Sequence, residues 1–371
     1  MRGMISRCMV IVCLAVFLTA SAGETAVSAE SLPLVESLRI EAPIEFCEEV
    51  VPLENREVRE RLEKEILLAM WDRPQVILWI KRSNRHLAII EAMLKENTMP
   101  DDLKYITLIE SGLRPHVGSS KGAIGFWQFT EGTGEKYGLR IDEDIDERRS
   151  IVASTRAALR CLKEYHQTFG SWTLAAAAFN MGKEGLQTEI LAQKTDNYYH
   201  LYMPLETQRY VLRIIAAKLI MTNREKYGFH LADDDLYPPI TCDRVTVECP
   251  GMVPIRIVAE AAETHFKAIK DLNPEVRGYY LNKGSYTLSI PAGMSKRFHS
   301  RYRNLLDQWM AHKDEYVYVV KKGDNLSLIA ERFGVPLPAL FLWNNLKAAD
   351  PIHPGDHLIL YPDRGTLDEG R

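Results

Sequence analysis

Glu110 stands at the end of an apolar run, "LKYITLIE", and is followed by Gly112, Gly118, Gly122 and Gly125 and then by "FWQF". A carboxyl at the inner end of an apolar helix loses hydration, which raises its pKa and lets it stay protonated near neutral pH. A protonated glutamic acid beside a cleft is what a glycosidic oxygen needs from a general acid. The glycines suit a sugar substrate, because backbone approaches a flat polar ring closely only where no side chain intrudes. Trp127, Phe126 or Phe129 would offer an apolar face to a pyranose, and Gln128 and Ser119 would hydrogen-bond its substituents. Taken alone, Glu110 is better read as an N-cap or ion-pair residue with "FWQF" as core, since single motif-like residues are often accidental.

The elements that must position these residues are helical. "EVRERLEKEILLAMW" and "QVILWIKRSNRHLAIIEAMLKEN" carry apolar residues at steps of three and four. Asp101 and Asp102 after Pro100 open the helix that runs into Glu110. Ser150 is placed to cap "IVASTRAALRCLKEYHQTF", which Gly170 closes. "TLAAAAFN" is apolar enough to be buried, and "ETQRYVLRIIAAKLIMTN" is a further helix. After Phe229 the texture changes to short strand-like runs, "DRVTVEC" and "SYTLSIP", around the helical "PIRIVAEAAETHFKAIKDLNP". The segment from Tyr316 reads strand, helix, helix, strand, with Asp324 or Asn325 capping its first helix. These two parts share a rough plan and read as divergent copies of one module, or the first of them, about 240–310, as a spacer that only packs on the helical part.

A chain of 371 residues, 46% hydrophobic, has room for two or three domains at roughly 100–200 residues each. The net charge of −4 lacks the basic excess of a nucleic-acid binder. Arg2 and Arg7, then "MVIVCLAVFLTA" and small residues up to Ala22 or Ala29, read as a signal peptide over 1–29. The apolar run is shorter than the roughly 20 residues of a spanning helix. Cys13 follows Val-Ile-Val, not the small residues of a lipid-attachment site. The expectation is a periplasmic or cell-envelope protein without a lipid anchor. Cleavage would leave Cys47, Cys161, Cys242 and Cys249. Cys242 and Cys249 are close enough in sequence to close a hairpin by a disulfide, and Cys161 reads as a buried apolar residue. No cysteine spacing suits zinc, so neither a metal nor a cofactor is expected.

Several spaced stretches, in order, resemble the catalytic domain of the soluble lytic transglycosylase family: "IESGLRP", Ser119, "GAIGFWQF", "GTGEKYGL", "DIDERRS" and "AAFNMG". "MPDDLKYI" and "YMPLETQRYV" resemble the membrane-bound lytic murein transglycosylase D group within it. The resemblance covers roughly residues 55–228. "YVVKKGDNLSLIAERFGV", "LWNNL" and "IHPGDHLIL" resemble a LysM module, a binder of N-acetylglucosamine-containing glycans. The implied fold is multidomain: an all-α lysozyme-like (goose-type) catalytic domain followed by small α+β LysM-type βααβ modules. The expected divisions are a helical N-terminal part at 30–98, the lysozyme-like domain at 99–228, a linker with a divergent LysM-like region at 229–314, LysM at 315–362 and a tail at 363–371.

The resemblance implies a peptidoglycan lytic transglycosylase in which Glu110 acts as acid and then as base, giving a 1,6-anhydro muramyl product. It places Ser111, Ser119, Gln128, Phe179, Asn180 and Tyr210 at the substrate. It also puts LysM glycan contacts at Gly323, Asp324, Asn325 and Leu326 and at Pro351, Ile352 and His353, with Asp324 mainly a helix cap. This chain departs from the family at Phe179, where the motif has tyrosine, and at Met181 and Ile124. The lost hydroxyl leaves a hydrogen bond near Glu110 to be supplied elsewhere, with Tyr210 the candidate. Two other readings compete: a hydrolytic muramidase or chitinase of the same fold, and a non-catalytic peptidoglycan-binding scaffold.

Overall fold

The computed structural model describes residues 34–312, 317–344, 346–347 and 350–361. The expected signal peptide and the tail at 363–371 lie outside the described residues. Three separate hydrophobic cores divide the described chain: one built from residues between Ile44 and Phe229, one from Ile145 with residues between Val245 and Trp309, and one from residues between Val320 and Leu360.

The first unit is helical. Helices α1 (Arg56–Trp71) and α2 (Arg73–Glu96) precede the short α3 (Ile106–Ser111), which carries Glu110. Helices α4 (Ile151–Phe169), α5 (Trp172–Met181), α6 (Lys183–Gln193) and α7 (Leu205–Thr222) follow. Local chemistry sets their ends. The Ser150 hydroxyl accepts from the Ala153 N–H at the start of α4, and Gly170 closes it in the left-handed region at φ 71°. In α5 the run Leu174–Ala178 is wholly buried, which lets α4 and α7 pack closely on it. Tyr210, at 1% exposure, is among the largest fully buried side chains and sits in the first half of α7.

The second unit pairs β1 (Cys242–Cys249) with β2 (Gly284–Pro291) antiparallel, Val245 opposite Leu288, around α8 (Ile255–Ala261) and α9 (Phe266–Leu272). Helix α10 (Ser295–His312) packs against it. The third unit repeats the order: β3 (Val317–Val319), α11 (Leu326–Arg332), α12 (Leu337–Trp343) and β4 (His357–Ile359), with Tyr318 opposite Leu358. One detail ties the two together. Asn273, after α9, donates to the carbonyls of Ile269 and Ser289 and accepts from the Ser289 N–H. Asn344, after α12, does the same with Leu340 and Ile359. In each unit one asparagine fastens the second helix to the last strand.

The structure rules out a hairpin disulfide between Cys242 and Cys249, which their spacing had left open. Cys242 and Cys249 lie at opposite ends of the single strand β1, which at about 3.4 Å per residue puts them about 24 Å apart. All four described cysteines are free thiols, and Cys161 is buried on α4.

The second unit is seated on the first through one loop. The Asp144 carboxylate accepts from the Asn282 side chain (2.9 Å), the Asn282 backbone N–H (3.3 Å) and the Tyr286 hydroxyl (2.7 Å). Its carbonyl accepts from the Arg277 N–H, and the Asp146 N–H donates to the Glu275 carbonyl. Ile145, between them, is buried in the second unit's core. A buried carboxylate so bonded is stable only while its donors stay in place.

Asn273 is fully buried, and its replacement by alanine strands both backbone groups of Ser289. Asn273→Ala is expected to lower stability by about 3 kcal/mol in urea denaturation. A loss below about 1 kcal/mol would mean that strand pairing alone closes the unit.

Candidate active site

Glu110 occupies the last turn of α3. The next residue but one, Gly112, takes φ 58° and turns the chain out of the helix, with its N–H on the Leu108 carbonyl and its carbonyl accepting from Arg82 Nη1 at 3.0 Å. Glu110 is thus left half-buried at the edge of the core. The Tyr210 hydroxyl donates to its Oε1. Burial pushes the Glu110 carboxyl up to about 7, against the pull of the Tyr210 hydrogen bond and of Arg213, while Glu206 adds to the rise. Glu206 is itself paired with Arg213 at 2.8 Å. The group therefore exchanges its proton near neutral pH.

The glycine-rich stretch folds into a small hairpin beside it, with Ile124 bridged to both Gly118 and Phe129. Gly125 could not carry a side chain: at φ 86°, a Cβ there would stand 1.8 Å from the Arg148 carbonyl oxygen. Gln128 takes φ 50°, a left-handed conformation that costs a non-glycine residue about 1 kcal/mol or more. Its amide offsets this by donating to the Val117 and Gly125 carbonyls, both at 2.9 Å. The Ser119 hydroxyl accepts from the Lys121 and Ala123 N–H groups, is exposed, and keeps its own proton to donate. Asn180, at the end of α5, accepts from the Thr207 hydroxyl of α7 at 2.8 Å.

Some expected roles change. Ser111 is 3% exposed and donates its hydroxyl to the Phe126 carbonyl, so it fastens the hairpin to α3 and does not face the cleft. Phe126, Trp127 and Phe129 are each at most 3% exposed and offer no face to a sugar. The Trp127 indole is spent on Thr155. Phe179 is half-buried and stands edge-on to Trp127 and Phe129, supporting the hairpin from below. Position 179 holds no hydroxyl for Glu110, and Tyr210 brings one. Glu131 and Glu135 are exposed on the helix after the hairpin.

In the third unit the two expected loops meet: Gly355 N–H bonds the Val320 carbonyl, and Val320 N–H the Asp356 carbonyl. Gly323, Pro351 and His353 are exposed there, while Leu326 and Ile352 pack on the third core. The helix cap is Asn325, whose side chain accepts from the Leu328 N–H. Asp324 does something else: it accepts from the Tyr318 hydroxyl (2.6 Å) and the Lys321 N–H (2.7 Å) and holds the end of β3.

The stretch "DIDERRS" has a structural task that its residues alone do not announce. Arg148, 5% exposed, forms a bidentate pair with Asp146 (2.8 and 2.9 Å) and reaches the Gly122 carbonyl at 3.2 Å, holding the hairpin from behind. The signal was an acid and an arginine two residues apart ahead of a capped helix. Nothing in their spacing said that the pair is buried.

Comparison with known proteins agrees with this division of the chain. The transglycosylase SLT domain model matches residues 87–202, and the LysM domain model residues 318–360. Membrane-bound lytic murein transglycosylase D of Escherichia coli (strain K12) is 30% identical over 293 residues, 75% of this chain and 64% of that protein. The chain thus spans less than two thirds of the length of that relative. A putative tributyltin chloride resistance protein of Alteromonas sp. (strain M-1) is 34% identical over 110 residues, 29% of this chain and 53% of that one. N-acetylmuramoyl-L-alanine amidase XlyA of Bacillus subtilis (strain 168) is 41% identical over 64 residues, 16% and 22% of the two chains.

Two expectations follow from the Glu110–Tyr210 contact. Tyr210→Phe removes a donor to the ionised carboxylate, so the Glu110 pKa, followed by carbon NMR, is expected to rise above about 7. An unchanged value would mean that the hydroxyl does not reach the charge. Separately, Glu110 has an ordinary value of 4.5 and a folded value of about 7. Between these the folded chain holds more protons than the unfolded one. This contribution to stability is full below about 4.5 and is lost as pH rises through about 7. Glu110→Gln is expected to flatten that window in denaturant melts, and a window of unchanged slope would locate the pH dependence in other groups. The carboxyl at the core's edge, the hairpin beside it and the glycine turn between them all lie within the residues that match the transglycosylase SLT domain, and a match to the LysM domain follows later in the chain.

Proposed function

We propose that the chain is a peptidoglycan lytic transglycosylase that cleaves the bond between N-acetylmuramic acid and N-acetylglucosamine and leaves a 1,6-anhydro muramyl end. The observation that carries this reading is a single half-buried carboxyl, Glu110, poised near neutral pH against Tyr210 and beside a backbone-built hairpin. One group with such a pKa serves in both directions. Glu110 gives its proton to the glycosidic oxygen as the bond from the muramyl C1 breaks, with the substrate's own acetamido group assisting at that carbon. The muramyl C6 hydroxyl then closes on C1, and its proton returns to Glu110. No water is consumed and the acid is regenerated.

The supporting residues take roles that their bonds allow. Ser119 donates its free hydroxyl proton toward the acetamido carbonyl, Gln128 and Asn180 border the glycan, and Tyr210 keeps Glu110 oriented. Phe179 supports the hairpin, and Ser111 acts by position. Residues 99–228 with the helices before them form the catalytic unit, 229–314 hold a divergent LysM-like copy, and 315–362 form the LysM unit. This last unit grips glycan with the adjoining loops around Gly323 and His353, mainly through backbone. A tether of this kind raises the effective concentration of the catalytic unit at the wall. The working place is the cell envelope. The Escherichia coli relative is membrane-bound by name, and no helix among the described residues here is long and apolar enough to cross a membrane.

The test is mass spectrometry of fragments released from purified peptidoglycan. Products one water lighter than hydrolysis products are expected, with release falling by about 10²–10⁴-fold in Glu110→Gln. Ordinary reducing ends that vanish with the same substitution would identify a muramidase. Wall binding without release by either chain would identify a scaffold.

A further inference from the structure

The seam between the first and second units holds another cleft, of about 330 Å³. His116 lines it from the loop that leaves Glu110, and Arg149 from directly behind Gly125. Lys270, Asp271 and Arg277 line it from the second unit. The charges in it do not cancel. Asp271 is already paired with Lys267. Asp146, the carboxylate nearest Arg149, is held by Arg148 through two bonds. Arg149 Nε is 3.7 Å from that carboxylate, buried and without a hydrogen-bond partner. Lys270 gives its protons to the carbonyls of Val276, Arg277 and Gly278, and Arg277 gives one to the Asp142 carbonyl. These partners satisfy hydrogen bonds without neutralising charge. Burial and Arg149 pull Lys270 down to about 8 against the opposing pull of Glu275, and partial burial with Arg149 and Lys270 depresses His116 against that of Asp271. An anion seated among these groups relieves their mutual repulsion.

We infer that this cleft seats a free carboxylate of the peptide that hangs from the glycan strand, a statement that rests on the peptidoglycan reading above. The repeating sugars are neutral where the lactyl group of muramic acid is joined to peptide, and the anionic groups are then the carboxylates of that peptide. The cleft lies within reach. The six residues from Glu110 to His116 would span about 21 Å only if fully extended, and the left-handed turn at Gly112 and Leu113 shortens that distance toward the about 14 Å that four peptide residues reach beyond the lactyl arm. The bonds around Asp144 hold the two walls of the cleft in one arrangement, so the site is formed before the ligand arrives.

The inference is tested on the full chain in two ways. Calorimetric titration uses the Glu110→Gln chain with a synthetic stem tetrapeptide as the free acid, the same peptide with its carboxylates amidated, and inorganic phosphate. The free acid is expected to bind at least about tenfold more tightly than either of the others, and Arg149→Gln to remove that preference. Cleavage by the parent chain is then compared on strands bearing free or amidated peptides. Amidation is expected to lower kcat/KM about tenfold, and the ratio to collapse toward one in Arg149→Gln and in His116→Gln, a change at an exposed side chain that spares the fold. Equal binding of acid and amide, phosphate binding as tight as the tetrapeptide, or a ratio left intact by both substitutions would overturn it. If no strand is cleaved by the parent chain, the transglycosylase reading fails, and the titration alone decides the cleft.

Discussion

The site depends on keeping a proton on one carboxyl at the boundary between core and water. Hydration would drop Glu110 to the ordinary carboxylate range, and full burial would lock it neutral. The fold holds it between these limits. Apolar packing of α3 removes water from most sides, and a single phenol from α7 restores part of the lost stabilisation of the charged form. Tyr210 can do this because α7 is itself buried for most of its length. The alanine run of α5 is what lets α7 lie so close. Chemistry at Glu110 is thus tied to close packing two helices away.

The hairpin beside Glu110 faces the opposite problem. It lies at the surface and is nonetheless fixed in place. Its aromatic side chains, Phe126, Trp127 and Phe129, are turned inward as core, and its strained Gln128 is locked by its own amide. Backbone is left to face outward. Behind it runs the segment from Arg140 to Arg149, which works in two directions. Arg148 holds the hairpin on one side, while Asp144 and Ile145 anchor the second unit on the other. A disturbance of the second unit therefore has a short covalent path to the hairpin beside Glu110.

The second and third units illustrate how one plan is put to two uses. Both fasten helix to strand with a single asparagine. In the second unit the stretch before the last strand, around Arg277 and Asn282, is spent on contact with the first unit. In the third the corresponding stretch, around His353, is exposed. The same scaffold thus forms a fixed brace in one case and leaves an exposed face in the other.

Much of this was legible in the residues themselves. Helix periodicity, the caps at Ser150 and Gly170, the change of texture after Phe229 and the order of motifs around Glu110 are local features. They survive folding because each depends on neighbours in sequence. What the tertiary structure decided was direction and burial. Ser111 and the aromatic residues of "FWQF" turned inward because the hairpin packs its own side chains against α4 and α5. Cys242 and Cys249 parted because the stretch between them runs straight as one strand, with no turn to bring its ends together. Asp324 and Asn325, adjacent in sequence, divided the work of strand and helix because only one of them can occupy the cap. The partnership of Glu110 with Tyr210, and of Asp144 with the second unit, joins residues about a hundred or more positions apart. Composition and spacing carry no record of such contacts, since they arise only when whole helices compete for the same buried surface.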